Sequence, residues 1–318
     1  MKEIKINAMM NTMKSRQGIG VSLFDLSRLN RLCLLMLIPA GLLCSSWGFW
    51  AHKKINEQAI GILPKPLMEF FEQNRDSIIQ RAVAPDLRRK TDKMEGMRHY
   101  IDADHYGNKP FENIPEKWND AMNKYSKDTL FRYGILPWQI ASVTSRLTNA
   151  FKERNKDSII FLAADLGHYI GDAHVPLHST TNYDGQLTRQ KGIHALWEAR
   201  VVELDSNSYV FKGCSCRLIK DPLAEAWKII SESYACVDSV LAIDKQVKKE
   251  IPESGWYESA VVDGREQKTF SKAYATRYNE LLNGMVSRRM RSSVSDVASY
   301  WYTAWVNAGK PSLPGTKK

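Results

Sequence analysis

His168 and Asp172 stand four residues apart in a stretch of helical periodicity, so both side chains leave one face of the same helix. His178 follows six residues later, just past Pro176, which stops that helix. His194 and Glu198 repeat the four-residue step on the next predicted helix. One such pair is ordinarily a surface contact worth roughly 0.2–0.5 kcal/mol. Two pairs bracketing His178 place three imidazoles and two carboxylates within 31 residues. Imidazole and carboxylate at one-turn spacing is how helices present ligands to zinc, and the chemistry this points to is metal binding.

The elements that must position these residues read as helices almost throughout. Ile55, Ala59, Ile62 and Leu63 mark a first amphipathic helix stopped by Pro64, and Leu67, Phe70, Phe71, Ile78 and Ile79 mark a second. Further helices are expected near 117–134, 140–155, 157–175, 191–204, 221–249, 267–292 and 294–307. Connections rich in Gly, Pro, Asn and Asp fall near 84–96, 105–116, 179–190 and 251–266. No Val/Ile/Thr-rich alternating run is long enough to build a sheet, and no segment reads as a flexible linker. The expectation is an all-α, single multi-helix domain over 47–318, large enough to bury a substantial core.

The composition of the 318 residues, 43% hydrophobic and 25% charged, excludes a disordered or collagen-like chain. The longest apolar run, Leu32–Cys44, falls short of the roughly 20 residues that cross a membrane. Arg28 and Arg31 precede it and Cys44, Ser45 and Ser46 follow, so 1–46 reads as a signal peptide with an N-terminal extension, cleaved before Trp47. The expected location is therefore outside the cytoplasm, in the periplasm or secreted. The remaining chain carries 39 Lys and Arg against 33 Asp and Glu, a net +6 suited to anionic partners. Cys214, Cys216 and Cys236 survive cleavage; export permits a disulfide, and pairing is not readable from spacing.

With these residues in view, the chain resembles the zinc-dependent phospholipase C and single-strand-specific nuclease superfamily of secreted all-α phosphodiesterases. The resemblance rests on Trp47-Gly48-Phe49-Trp50-Ala51-His52 after the cleavage point, Asp86 in Ala84-Pro85-Asp86, and His99 in Arg98-His99-Tyr100-Ile101-Asp102. His168, Asp172, His178, His194 and Glu198 then follow in the family's order. It implies three zinc ions. One is held by Asp86, His99, His168 and Asp172. A second is held by the Trp47 amine and carbonyl, His52 and a bridging Asp172, and the third by His178, His194 and Glu198. Such a pocket is net positive, which suits a phosphodiester, and the attacking group would be a zinc-bound hydroxide. A zinc-binding Trp47 nitrogen must be a free amine, so one residue added before Trp47 is expected to cost one zinc and most of the turnover. Metal analysis of a Met-Trp47 form with full zinc and full activity would refute this.

The resemblance also bears on substrate. Arg89 and Asp102 occupy positions where the nuclease branch carries an Arg–Asp phosphate clamp, and with Asp86 they are the candidate catalytic residues. Glu198, and the 16-residue step from His178 to His194, are nearer the phospholipase pattern. The leading expectation is a phospholipase C-like hydrolase acting on a phospholipid headgroup. The alternative is a single-strand-specific endonuclease/3'-nucleotidase, and the non-enzyme alternative is a structural zinc protein binding anionic surfaces. No protein partner is inferred. His105 and His174 fit no ligand position, Tyr300, Trp301, Tyr302 and Trp305 read as the core face of the last helix, and Arg288, Arg289 and Arg291 read as a solvated face. The sharper alternative for those arginines is peripheral contact with a membrane or nucleic acid.

Overall fold

A helix apolar on every side has to be central. Lys156–Ala173 is such a helix: all but one of the residues from Ile159 to Ala173 are buried. Asn155 caps it by accepting from the Ser158 N–H. The computed structural model describes residues 48–262 and 265–315, so Trp47 and the proposed leader 1–46 lie outside the described residues. Leu136–Lys152 packs alongside the central helix, and Phe49–Ile60 and Met285–Asn307 also pack on it. Trp301 is fully buried and donates its indole N–H to the Ala163 carbonyl. Tyr300 and Trp305 are buried as well, and Tyr302 is half-buried against the core, so three of the four aromatics read as core are core.

Gly167 and Gly171, one turn apart, let the Phe49–Ile60 helix approach closely. A Cβ on Gly167 would sit 2.2 Å from Asn56 Oδ1, and one on Gly171 would sit 2.9 Å from His52 Nδ1. That approach places the His52 ring in a stack over His168, with centroids 4.0 Å apart.

The all-α reading holds with one local correction. Tyr257–Val262 and Arg265–Phe270 form an antiparallel hairpin where a connection and the start of a helix were expected. Its alternation is diluted by Glu258, Ser259, Gln267 and Lys268, but Tyr257 pairs with Phe270 across the strands, ring centroids 4.9 Å apart. The helix begins only at Lys272, where Ser271 caps Tyr274 N. It ends at Leu281, because Asn283 and Gly284 take positive φ, and Met285–Asn307 then runs as one helix of 23 residues. The stretches expected as single helices at 117–134 and 221–249 are each broken in two, at Ser126 and at Ala235–Cys236. Among the described residues no helix is long and apolar enough to cross a membrane.

Candidate metal centre

Asp172 is the hub. Its carboxylate, 1% exposed, reaches His99 Nδ1 at 2.9 Å, His52 Nε2 and His168 Nε2 at 3.4 Å, and His178 Nε2 at 3.9 Å. Glu198 is a second hub, 3.3 Å from His52 Nε2, 3.5 Å from His178 Nε2 and 2.8 Å from His194 Nε2. It sits in one turn of π-helix, Leu196–Arg200, a local widening that is frequent at functional sites. Asp86 stands at the edge, on the short Ala84–Arg88 helix inside what the sequence reads as a connection, with its oxygen 3.7 Å from His99 and 3.9 Å from His168.

The eight described candidates thus converge from six segments. They form four overlapping triads whose donor atoms lie within 4.8 Å of one another: His52–Asp86–His168, His99–His168–Asp172, His52–Asp172–Glu198 and His178–His194–Glu198. The donor set fits zinc. His168 Nδ1 is 2.9 Å from the Ala82 carbonyl and His194 Nδ1 is 3.1 Å from the Tyr183 carbonyl, so each gives its N–H to the backbone and turns an Nε2 lone pair inward. Two inward nitrogens, His99 Nδ1 and His168 Nε2, face each other at 3.1 Å. Burial holds His168 down at about 4, so that ring is a neutral ligand at any ordinary pH. His52 and His99 behave oppositely: burial works against their charge, but the Glu198 and Asp172 carboxylates outweigh it and lift both to about 9.

The supporting residues are those the sequence does not flag. Glu95 is fully buried, with Oε1 3.5 Å from His99 Nε2; it accepts from the Tyr169 hydroxyl, from Arg98 at 2.6 Å and from Arg88 at 3.4 Å. Arg88 in turn grips Asp165 through two nitrogens, at 3.0 and 2.7 Å. Burial alone would raise the Glu95 carboxyl, but the hydrogen bonds from His99 and Tyr169 and the Arg88 charge hold it well below the usual carboxylate range. A carboxylate behind a ligating imidazole fixes its tautomer and orientation. Glu95→Gln is therefore expected to weaken zinc binding by about 10–100-fold in a chelator competition, the range for outer partners of metal ligands. Unchanged affinity would reduce Glu95 to a packing residue.

Backbone ties set the other ligands. Ile101 N donates to the His178 carbonyl, and Asp104 receives Thr180 Oγ1, Thr181 N and Thr181 Oγ1, fixing the loop that carries Tyr183 beside His194. The Arg89–Asp102 pair does not form: Arg89 Nη1 lies 3.7 Å from Asp86, and Asp102 is pushed up to about 7 by burial and then by Asp104. Arg289 is a correction too. It is 8% exposed and holds the His174 and Ile229 carbonyls, Ser233 and Glu232, tying three segments together instead of facing solvent. His105 stacks on Tyr133, and His174 is buried against Asp296 at 3.1 Å. The three cysteines are free thiols outside the centre.

Residues 50–308 match the model of the S1/P1 Nuclease family. Among solved structures the chain is similar to the alpha-toxin of Clostridium absonum, at 13% identity and a TM-score of 0.47, over 81% of this chain and 63% of that one. It is similar to an alpha-toxin of Clostridium perfringens from an avian strain at 11% identity and a TM-score of 0.48, over 82% and 64%. The chain thus spans a little under two thirds of the length of those toxins. No curated protein sequence matches it.

Proposed function

Because the chain belongs to the S1/P1 nuclease family, we propose that it is an exported, zinc-dependent hydrolase of phosphodiester bonds whose substrate is single-stranded nucleic acid. The observation that carries the reading is the convergence of five histidines and three carboxylates on overlapping donor triads around Asp172 and Glu198. His99, His168, Asp172 and Asp86 would hold one ion, His52 and Asp172 a second with the Trp47 amine, and His178, His194 and Glu198 a third. When bound, zinc supplies a Lewis acid and brings the pKa of its water towards about 7. The protein's own part is to keep His168 neutral, to aim each imidazole through Ala82, Tyr183 and Glu95, and to hold carboxylates ionised against burial.

The rim supports the nucleic-acid reading. Tyr183 is 53% exposed, its ring 6.4 Å from that of His194, and Arg89 is 54% exposed on Asp86. Tyr100 is influenced by both: its hydroxyl is pushed up by burial, Asp102 and Tyr183 and pulled down by Arg89. An open aromatic ring on His194 and an exposed guanidinium on Asp86, at two edges of one centre, suit an unstacked base and its phosphate. Leu87 and Leu187, 46% and 68% exposed, favour a second reading in which the rim meets a lipid surface and the substrate is a phospholipid headgroup. A purely structural zinc role is disfavoured by the His178–His194–Glu198 set, which has three protein ligands and is partly open to solvent. The test is turnover of single-stranded RNA and of phosphatidylcholine micelles in parallel, with a chelator control. Chelator-sensitive nucleotide release supports the proposal. Phosphocholine release alone overturns it in favour of the phospholipid reading, and zinc binding without either activity supports the structural one.

A further inference from the structure

Behind the metal centre, between the Phe49–Ile60 and Met285–Asn307 helices, lies a cavity of about 20 Å³, above the roughly 10–15 Å³ that one water needs. His52, His174, Trp197 and Ser293 line it. Each of them contributes a buried polar atom with no hydrogen-bond partner: His52 Nδ1, His174 Nδ1, Trp197 Nε1 and Ser293 Oγ. A buried polar group is seldom left unpaired, so four on residues lining one space need a common explanation.

We propose that this cavity is a binding site for one ordered water, which joins the outer nitrogen of His52 to Trp197, His174 and Ser293 and makes those three side chains positioning residues for a metal ligand. The donor and acceptor inventory matches a single water. His52 turns Nε2 towards Asp172 and Glu198 and leaves Nδ1 on the cavity side, where it donates when Nε2 is a metal ligand. The Trp197 indole can only donate. His174 gives its Nε2–H to Asp296 at 3.1 Å, which leaves Nδ1 on the cavity side as the acceptor. Ser293 Oγ completes the fourth place as an acceptor. A water accepts two hydrogen bonds and donates two, which is the set offered. Gly171 keeps the space clear, because a Cβ there would reach 2.9 Å from His52 Nδ1 and 3.1 Å from its Cε1. The role in zinc binding rests on the zinc reading above; the water site itself does not.

A high-resolution crystal structure tests the site with or without zinc. The expected result is one water within about 2.7–3.2 Å of His52 Nδ1 and of at least two of the other three atoms. A dry cavity, or direct pairing of those atoms with one another, overturns the site. Chelator competition tests the positioning role. Trp197→Phe and Ser293→Ala are each expected to weaken one zinc by about 10–100-fold with the others unmoved, and Ser293→Thr to restore it. Equal affinity in both variants overturns that role, as does a parent protein that binds no zinc although the water is present. Only the last of these outcomes also removes the proposed function.

Discussion

Asp172→Asn is expected to abolish turnover and to lower the zinc stoichiometry while the helices persist by circular dichroism. Asparagine keeps the volume and one oxygen but removes the charge that faces His52, His99, His168 and His178 at 2.9–3.9 Å. Asp172 belongs to two donor triads at once, so its loss reaches two of the proposed ions. Outer partners of metal ligands cost about 10–100-fold when removed, and a shared ligand should exceed the upper end of that range. Metal analysis after desalting, with turnover on the substrate identified above, measures it. Full zinc content in a folded, inactive variant would move Asp172 from ligand to base. A variant that unfolds would support the structural zinc reading.

The second large effect is the response of the metal-free protein to pH. His52 and His99 are lifted to about 9, so their pairing with carboxylates stabilises the fold fully below the ordinary histidine value near 6.5 and is lost as pH rises towards 9. Asp172 and Glu198 are held low. Burial opposes that, and neighbouring histidines outweigh it, so their contribution is present above about pH 4 and lost on acidification. Burial of neutral His168 counts against the fold below its ordinary value, so metal-free protein should be most stable near pH 6.5 and weaken towards pH 9, by about 3 kcal/mol per raised histidine. Zinc needs those rings deprotonated, so its affinity moves the other way and uptake releases protons. The gap in melting temperature between zinc-loaded and chelated protein is expected to widen by about 10 °C or more from pH 6 to pH 9. Thermal melts at both pH values measure this; a gap that stays constant or narrows would show that His52 and His99 are not metal ligands.

The parts of this molecule that could be read in the sequence are those encoded locally. His168 and Asp172, or His194 and Glu198, share a helix face because of the helical repeat alone. The family resemblance added His52, Asp86 and His99, and the structure brings all three to the same place. What escaped is set by tertiary contact. Glu95 reads as one more charge in a charged stretch until the fold buries it behind His99. Arg289 reads as a solvated neighbour of Arg288 until the His174 carbonyl and Ser233 are found beside it. The hairpin at 257–270 is hidden by polar residues on its strands, although Asp263-Gly264 is a hairpin signal that the reading of 251–266 as a connection passed over. No periodicity foretells the π turn at Glu198, because it is one residue of slack in an otherwise helical stretch.

The centre is also graded in its access to solvent. His168, His52 and His99 are 0–3% exposed at the side chain, whereas Glu198 is 14%, His178 12% and His194 25% exposed. For the proposed zinc ions this gradient becomes a sequence in time. The ion held by His178, His194 and Glu198 would exchange with the medium through His194, and the ion beside Asp86, whose side chain is 23% exposed, through a second edge, so the ion between them on His52 and Asp172, side chains 2–3% exposed, would be the slowest to leave.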